Sequence, residues 1–466
     1  MQKSSIGLMA IALASGMCAS VLAAPLNGGP VKAVGPGDWT QQWRQNRNIL
    51  LDENPGLRHD PTSIIVKFFD GVSQEDKDVF YGLMEMRRIQ KLGQTDLEHV
   101  AINDSAENMV FLAREIGAEL GIVEFAELDH IAHLGATPND SFYSLLWGMN
   151  NTGQTVNRDR GTANADIDAN LAWDVWTGSS SFVVGVVDSG ILLNHQDLAA
   201  NIWVNPGEIA GNGIDDDGNG YVDDVNGWDF WNNDNNPTDD NGHGSHVAGT
   251  IGAVGNNGVG VVGVCWNVKL AALKIGSASG SVSVTAAINA INYCIGKGIK
   301  VANHSWSGGA YNAALDSACT AARNAGHIIV AAAGNGGFDG RGDNNNTIPA
   351  YPASYTQDNI IAVAAIDNDN KLTTFSNYGS TSVDLGAPGK MIASCYNSAT
   401  NSYVYLDGTS MAAPHVTGAV ALVWSKNPTW TYSQVRSKIL STTKPLSSLS
   451  GKTVTGGCLN VNNAIR

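Results

Sequence analysis

The chain has 466 residues, 43% of them hydrophobic and 15% charged, enough for two or three domains around a large core. Lys and Arg number 27 against 43 Asp and Glu, a formal charge of −16 that argues against nucleic acid or an anionic membrane surface as a partner. Nine aspartates fall between Asp215 and Asp240 rather than in a tail, a distribution that points to cations.

Residues 1–24 read as a secretory signal peptide: Lys3, an apolar run over 6–14, and a small-residue cleavage site at Val21-Leu-Ala-Ala24. Cys18 follows Met17 where a lipidation site needs a small residue. The signal implies secretion, extracellular or periplasmic. There, Cys265, Cys294, Cys319, Cys395 and Cys458 would make one or two disulfides and leave a thiol over. Cys294–Cys319 is the suggested pair, because both fall on helices expected to be neighbours. The cysteines lack CxxC spacing, which argues against zinc, and no later segment has the roughly 20 apolar residues of a membrane helix.

Over residues 62–134 the pattern predicts strands at 64–68, 97–102 and 122–128, with helices at 74–83 and 107–116 between them. This order suits a small α+β sandwich, and it carries no chemical motif. A linker follows over 133–140. Beyond it the chain is rich in Gly, Ala and Asn. Apolar strands are predicted at 182–187, 269–275, from Val301, at 327–332 and at 360–365, with helices at 284–295 and 313–324. Buried strands alternating with helices predict an α/β domain whose parallel sheet is flanked by helices, with its active site at the carboxyl ends of the strands.

Three side chains stand at such places. Asp188 ends a strand in VVDSGI, His243 opens a helix in GHGSHVAGT, and Ser410 opens another in GTSMAAPH. Singly, each has an ordinary structural explanation: a loop cap, a buried hydrogen bonder, a helix cap. Together they supply what acyl transfer needs, a nucleophile, a base and a carboxylate to orient it. Asn335, after the strand in AAAGN, is a candidate oxyanion donor alongside the backbone N–H of Ser410.

These four motifs, in this order, resemble the subtilisin-like serine proteases, in particular the thermitase-like branch. The Asp, His, Ser chain order is subtilisin's own. The resemblance covers roughly residues 138–466 and implies a subtilisin-like fold, with a C-terminal helix over about 428–440. It implies Asp188, His243 and Ser410 as the triad and Asn335 as oxyanion donor, with His246 and His415 structural. Ser305, Trp306, Ser307 and Gly308 match the segment that binds substrate, although Ser307 stands where the family has Gly. Trp306 is a pocket wall or a core residue. The implied partners are protein or peptide substrates, bound as an added strand; no acidic cluster lines a substrate pocket, so broad cleavage with an apolar preference is expected, by a monomer.

The 62–134 unit resembles the family's propeptide, which folds and then inhibits the enzyme. The expected organisation is signal peptide 1–24, propeptide 25–135 and peptidase 136–466. Calcium, two or three ions, is the expected cofactor. In IDDDGNGYVDD the spacing of Asp215, Asp217, Asn219, Tyr221 and Asp223 is EF-hand-like, with Asn226 in place of the bidentate Glu. Family matching adds Asp229 and Asp234, with Asn236 and Thr238 beside them. It also adds a tight site made by the side chains of Asp140, Asp197 and Asn257 and the carbonyls of Gly255, Val259 and Val261.

Overall fold

The computed structural model describes residues 39–53, 59–93, 95–130, 137–337 and 339–466. The expected signal peptide and Cys18 lie outside the described residues. The chain divides into two compact units, residues 1–133 and 134–466, and each is described by itself.

Among the described residues, the first unit runs from helix α1 (Trp39–Glu53) through β1 (His59–Phe68), α2 (Gln74–Leu83), β2 (Arg87–Lys91), β3 (Leu97–Ala101) and α3 (Ala106–Leu120) to β4 (Val123–His130). Its sheet has the order β2-β3-β1-β4 and is antiparallel, with Ile64 opposite Val100 on one side and Leu128 on the other. Ser73 and Ser105 cap α2 and α3 by accepting from the N–H groups of Asp76 and Asn108. Gly117 brings α3 down onto the sheet, for a Cβ there would sit 2.3 Å from that of Val123. Ile64, Val66, Phe68, Phe80 and Met109 form the core. Sequence patterning missed β2, whose RRIQK is almost wholly exposed and has no apolar alternation to read.

The second unit is built on a nine-stranded sheet. Its main elements are β5 (Gly178–Asp188), β6 (Gly227–Asp229), α4 (His243–Gly252), β7 (Asn267–Lys274), α5 (Val284–Gly296), β8 (Val301–His304), α6 (Ala313–Asn324), β9 (Ile328–Ala332), β10 (Ile360–Ile366), β11 (Leu385–Pro388), β12 (Ile392–Tyr396), β13 (Ser402–Leu406), α7 (Thr409–Lys426), α8 (Tyr432–Ser441), β14 (Lys444–Pro445) and β15 (Gly457–Cys458). The order is β14-β15-β11-β10-β9-β8-β5-β7-β6, parallel throughout except for β14.

Helices cover both faces, and the two-residue period of the strands sorts the side chains between them. Val184, Val186, Val330 and Ala332 join the cluster that holds α4 and α7. Val187, Ala271 and Leu273 face α5, while Ile329, Ala331 and Ala362 face α6. The expected helix over 428–440 is α8, capped by a reciprocal Thr431–Gln434 box.

The expected disulfides are absent among the described residues: all five cysteines are free and buried. Cys294 and Cys319 do lie on packed neighbours, α5 and α6, but Cys294 points into the cluster around Val187 and Cys319 into the one around Leu315. Burial pushes the thiols of Cys319 and Cys458 up to about 12. Among the described residues no helix is long and apolar enough to cross a membrane.

Candidate active site

Asp188 is the last residue of β5, next to Lys274 at the end of β7, so it stands at the carboxyl edge of the sheet. Its side chain is 4% exposed, and Oδ1 accepts from Ser189 N at 2.8 Å and from His243 Nδ1 at 2.7 Å. His243 opens α4 from Gly242, whose φ of 106° suits a residue without a side chain. Gly244 admits Gly190 against the helix, since a Cβ there would lie 2.1 Å from the Gly190 oxygen. Burial disfavours charge on the imidazole, yet the charge and hydrogen bond of Asp188, with help from Asp239, raise His243 above the ordinary histidine value.

Ser410 is the second residue of α7, so its N–H has no partner within the helix and lies where the helix dipole favours negative charge. Helices α4 and α7 pack together. The hydroxyl of Ser410 donates to the Ser305 carbonyl at 3.0 Å, and Ser305 Oγ returns a bond to the Ser410 carbonyl at 2.7 Å. The hydroxyl is thus turned to Ser305 rather than to the imidazole, and a rotation about its χ1 would redirect it.

Asn335 lies three residues past β9. Its Oδ1 accepts from Thr409 N (2.8 Å) and Thr409 Oγ1 (2.9 Å), and Thr409 Oγ1 accepts from Gly334 N (3.1 Å). With the carbonyl oxygen engaged, the amide N–H groups are the free end, beside Gly408. The role of Thr409 in orienting this amide has no sequence signal beyond adjacency to Ser410.

Of the substrate segment, Ser305 is buried and Ser307 and Gly308 are exposed, and Gly308 N donates to Tyr351 O at 3.1 Å. Trp306 is half-buried and packs against the clusters under α5 and α6, a core role for at least part of its ring. His246 and His415 are core residues: their rings bond to the carbonyls of Ile392 (2.9 Å) and Met411 (2.8 Å), and burial lowers them to about 3 and about 4.

The cation candidates differ in quality. Asp140 and Asp197 are both buried. Asp197 accepts from Asn257 Nδ2 (2.8 Å), Val261 N (2.8 Å) and Tyr403 OH (3.2 Å), and Asp140 accepts from Asn256 N (2.7 Å). Val259 N donates to Asn257 Oδ1 at 2.8 Å, a turn within the 255–261 loop that the bonds to Asp140 and Asp197 hold against the pair. Burial raises both carboxyls, Asp197 to about 6 with Asp140 adding its repulsion, so the site suits a cation.

The acidic loop brings Asp215 and Asp217 together with Glu208, a residue that the sequence template, starting at Asp215, could not include. Asp223 is not in this group; its carboxylate accepts from the N–H groups of Gly211, Asn212 and Gly213. Asn219 bonds to Asp224 and to the Tyr221 N–H. Burial favours the neutral form of Asp217, but bonds from Lys297 and Asn205 and the Lys297 charge outweigh it and lower the carboxyl. The Lys297 ammonium, shared with Asp224, thus offsets part of the loop's negative charge. Asp229 and Asp234 pair through their backbones, and their carboxylates cap the local turns at Trp231, Asn232 and Asn236.

Residues 179–460 match the model of the Subtilase family. The chain is 36% identical over 311 residues to thermitase of Thermoactinomyces vulgaris, covering 67% of this chain and 93% of that protein. Subtilisin DY of Bacillus licheniformis is 39% identical over 259 residues, 56% of this chain and 82% of its own. Among solved structures, a protease from Pseudoalteromonas arctica superposes with a TM-score of 0.56 at 28% identity, covering 71% of this chain and 99% of that one. The chain belongs to the subtilase family and is a serine endopeptidase with a subtilisin-like fold.

Proposed function

We propose that the protein is a secreted, calcium-stabilised endopeptidase made as a zymogen, with Ser410 as nucleophile, His243 as general base and Asp188 as its orienting carboxylate. The observation that carries the reading is the 2.7 Å bond between Asp188 Oδ1 and His243 Nδ1, on the helix packed against the one that Ser410 opens. That bond fixes the tautomer, leaving Nε2 to take the Ser410 proton as the hydroxyl turns away from Ser305. The Ser410 N–H and the Asn335 amide would then hold the oxyanion.

Substrate would add beside Ser305–Gly308 as an extended strand, with main-chain bonds giving affinity and a broad, apolar-leaning preference. The 62–134 unit acts as the inhibitor and folding aid, with the tail after Asp129 as the first peptide cut. Calcium would be held by Asp140, Asp197, Asn257 and the 255–261 carbonyls, and in a second site by Glu208, Asp215 and Asp217. At the first site it neutralises carboxylates that folding has buried, and at both it ties loops down. Secretion rests on the signal-like 1–24 segment. Expression of Ser410→Ala tests the zymogen reading: the full precursor should accumulate. Complete removal of residues 25–135 from that variant in a protease-free preparation would sink self-processing.

A further inference from the structure

A second carboxylate, besides Asp188, lies beneath the start of α4. Asp239 is 5% exposed and takes five hydrogen bonds. Oδ1 accepts from Ser189 Oγ (2.8 Å), Asn241 N (2.9 Å) and Gly242 N (2.9 Å), and Oδ2 from Ser245 N (2.9 Å) and Ser245 Oγ (2.6 Å). Ser189 follows Asp188 directly, and its Oγ accepts in turn from Gly244 N at 2.9 Å. An ordinary helix cap needs one oxygen and one or two N–H groups of its own helix. Asp239 instead uses both oxygens and joins that helix to the loop of a different strand, the one that ends in Asp188.

We propose that Asp239 is a positioning residue for catalysis: it locks Asp188 and His243 into one frame and sets a second fixed negative charge near the imidazole. The inference rests on the Asp188, His243 and Ser410 reading above. When His243 takes the Ser410 proton it becomes a cation. A charge fixed beforehand stabilises that cation without having to reorganise. Asp188 from β5 is bonded to the ring, Asp239 from the preceding loop and His246 on α4 act on it through their charge or its absence, and Ser410 stands on α7, which packs against α4. Asp240 is tied to Lys274 Nζ at 2.6 Å, and the two charges offset each other. His246, held neutral by burial, adds little.

Two variants separate charge from geometry, each measured on the processed enzyme as kcat and KM over pH 5 to 9. Asp239→Asn keeps the shape and removes the charge. The acidic limb of its kcat/KM profile should move down by about half a pH unit, with kcat severalfold lower and KM within about twofold. Ser189→Ala keeps the charge and severs the link to the Asp188 loop; kcat should fall severalfold with the limb unmoved, and this variant carries the test if the first does not fold. An Asp239→Asn profile whose limb stays in place while only the melting temperature falls would overturn the proposal and leave Asp239 a cap. A wild-type enzyme that hydrolyses nothing and has no acidic limb would instead overturn the catalytic reading beneath it.

Discussion

Asp197→Asn, made in a Ser410→Ala background so that nothing autolyses, isolates the electrostatics of the tight cation site. Burial, the Asp140 charge and the surrounding bonds together leave the Asp197 carboxyl at about 6, against 3.8 when free. A difference of roughly two pH units, at about 1.4 kcal/mol each, means that ionising it in the metal-free fold costs about 3 kcal/mol. The folded value lies above the unfolded one, so stability is lost as pH rises from about 4 to about 6, and the whole penalty applies at neutral pH. Residues 134–466 unfold with an entropy of about 0.7 kcal/mol/K at the usual value per residue, so 3 kcal/mol is about 4 °C.

The amide that replaces the carboxylate would keep an oxygen for Val261 N and Tyr403 OH, but its new N–H group would meet Asn257 Nδ2, which should halve the gain. Calcium at a thousand times its Kd adds about 4 kcal/mol to the parent, or about 6 °C. Calorimetry at pH 7.5 should therefore find the variant about 2 °C more stable than the parent in EDTA, and much less responsive to calcium. In EDTA the parent itself should melt higher at pH 5 than at pH 7.5. A variant that is less stable in EDTA and responds to calcium as fully as the parent would refute the reasoning.

Asn335→Leu removes an oxyanion donor and should lower kcat by two to three orders of magnitude, the range known for subtilisin's own donor, with little change in KM; a loss confined to KM would contradict the role. Gly244→Ala forces a methyl against the Gly190 oxygen, so α4 must shift. It should cost about 1–3 kcal/mol and most of the activity, read by melting and turnover; full activity would mean the Asp188–His243 frame is looser than described. The five buried thiols should resist an aromatic disulfide reagent until denaturant is added, and dithiothreitol should leave the melting temperature alone. A drop on reduction would reveal a disulfide.

The fold was legible because buried parallel strands carry dense apolar runs, and the runs ending at Asp188 and Ala332 sit where strand patterning put them. Legibility failed where a residue's work is done by partners far away in sequence. Glu208 meets Asp215 only through a loop turn, Asp239 reaches Ser189 across 50 residues, and nothing local marks either. The disulfide expectation came from secretion and cysteine count. It missed that the thiols of Cys294 and Cys319 face separate clusters. The EF-hand spacing gathered Asp215 and Asp217 but could not foresee that Asp223 would be taken by three backbone N–H groups.

The most direct test of the central claim is covalent: treat the processed protein with a fluorophosphonate probe and map the adduct by peptide mass spectrometry. The account predicts one label, on Ser410, lost in His243→Ala and strongly reduced in Asp188→Asn. A processed protein that takes no label, or takes it on another serine with His243 intact, would contradict it.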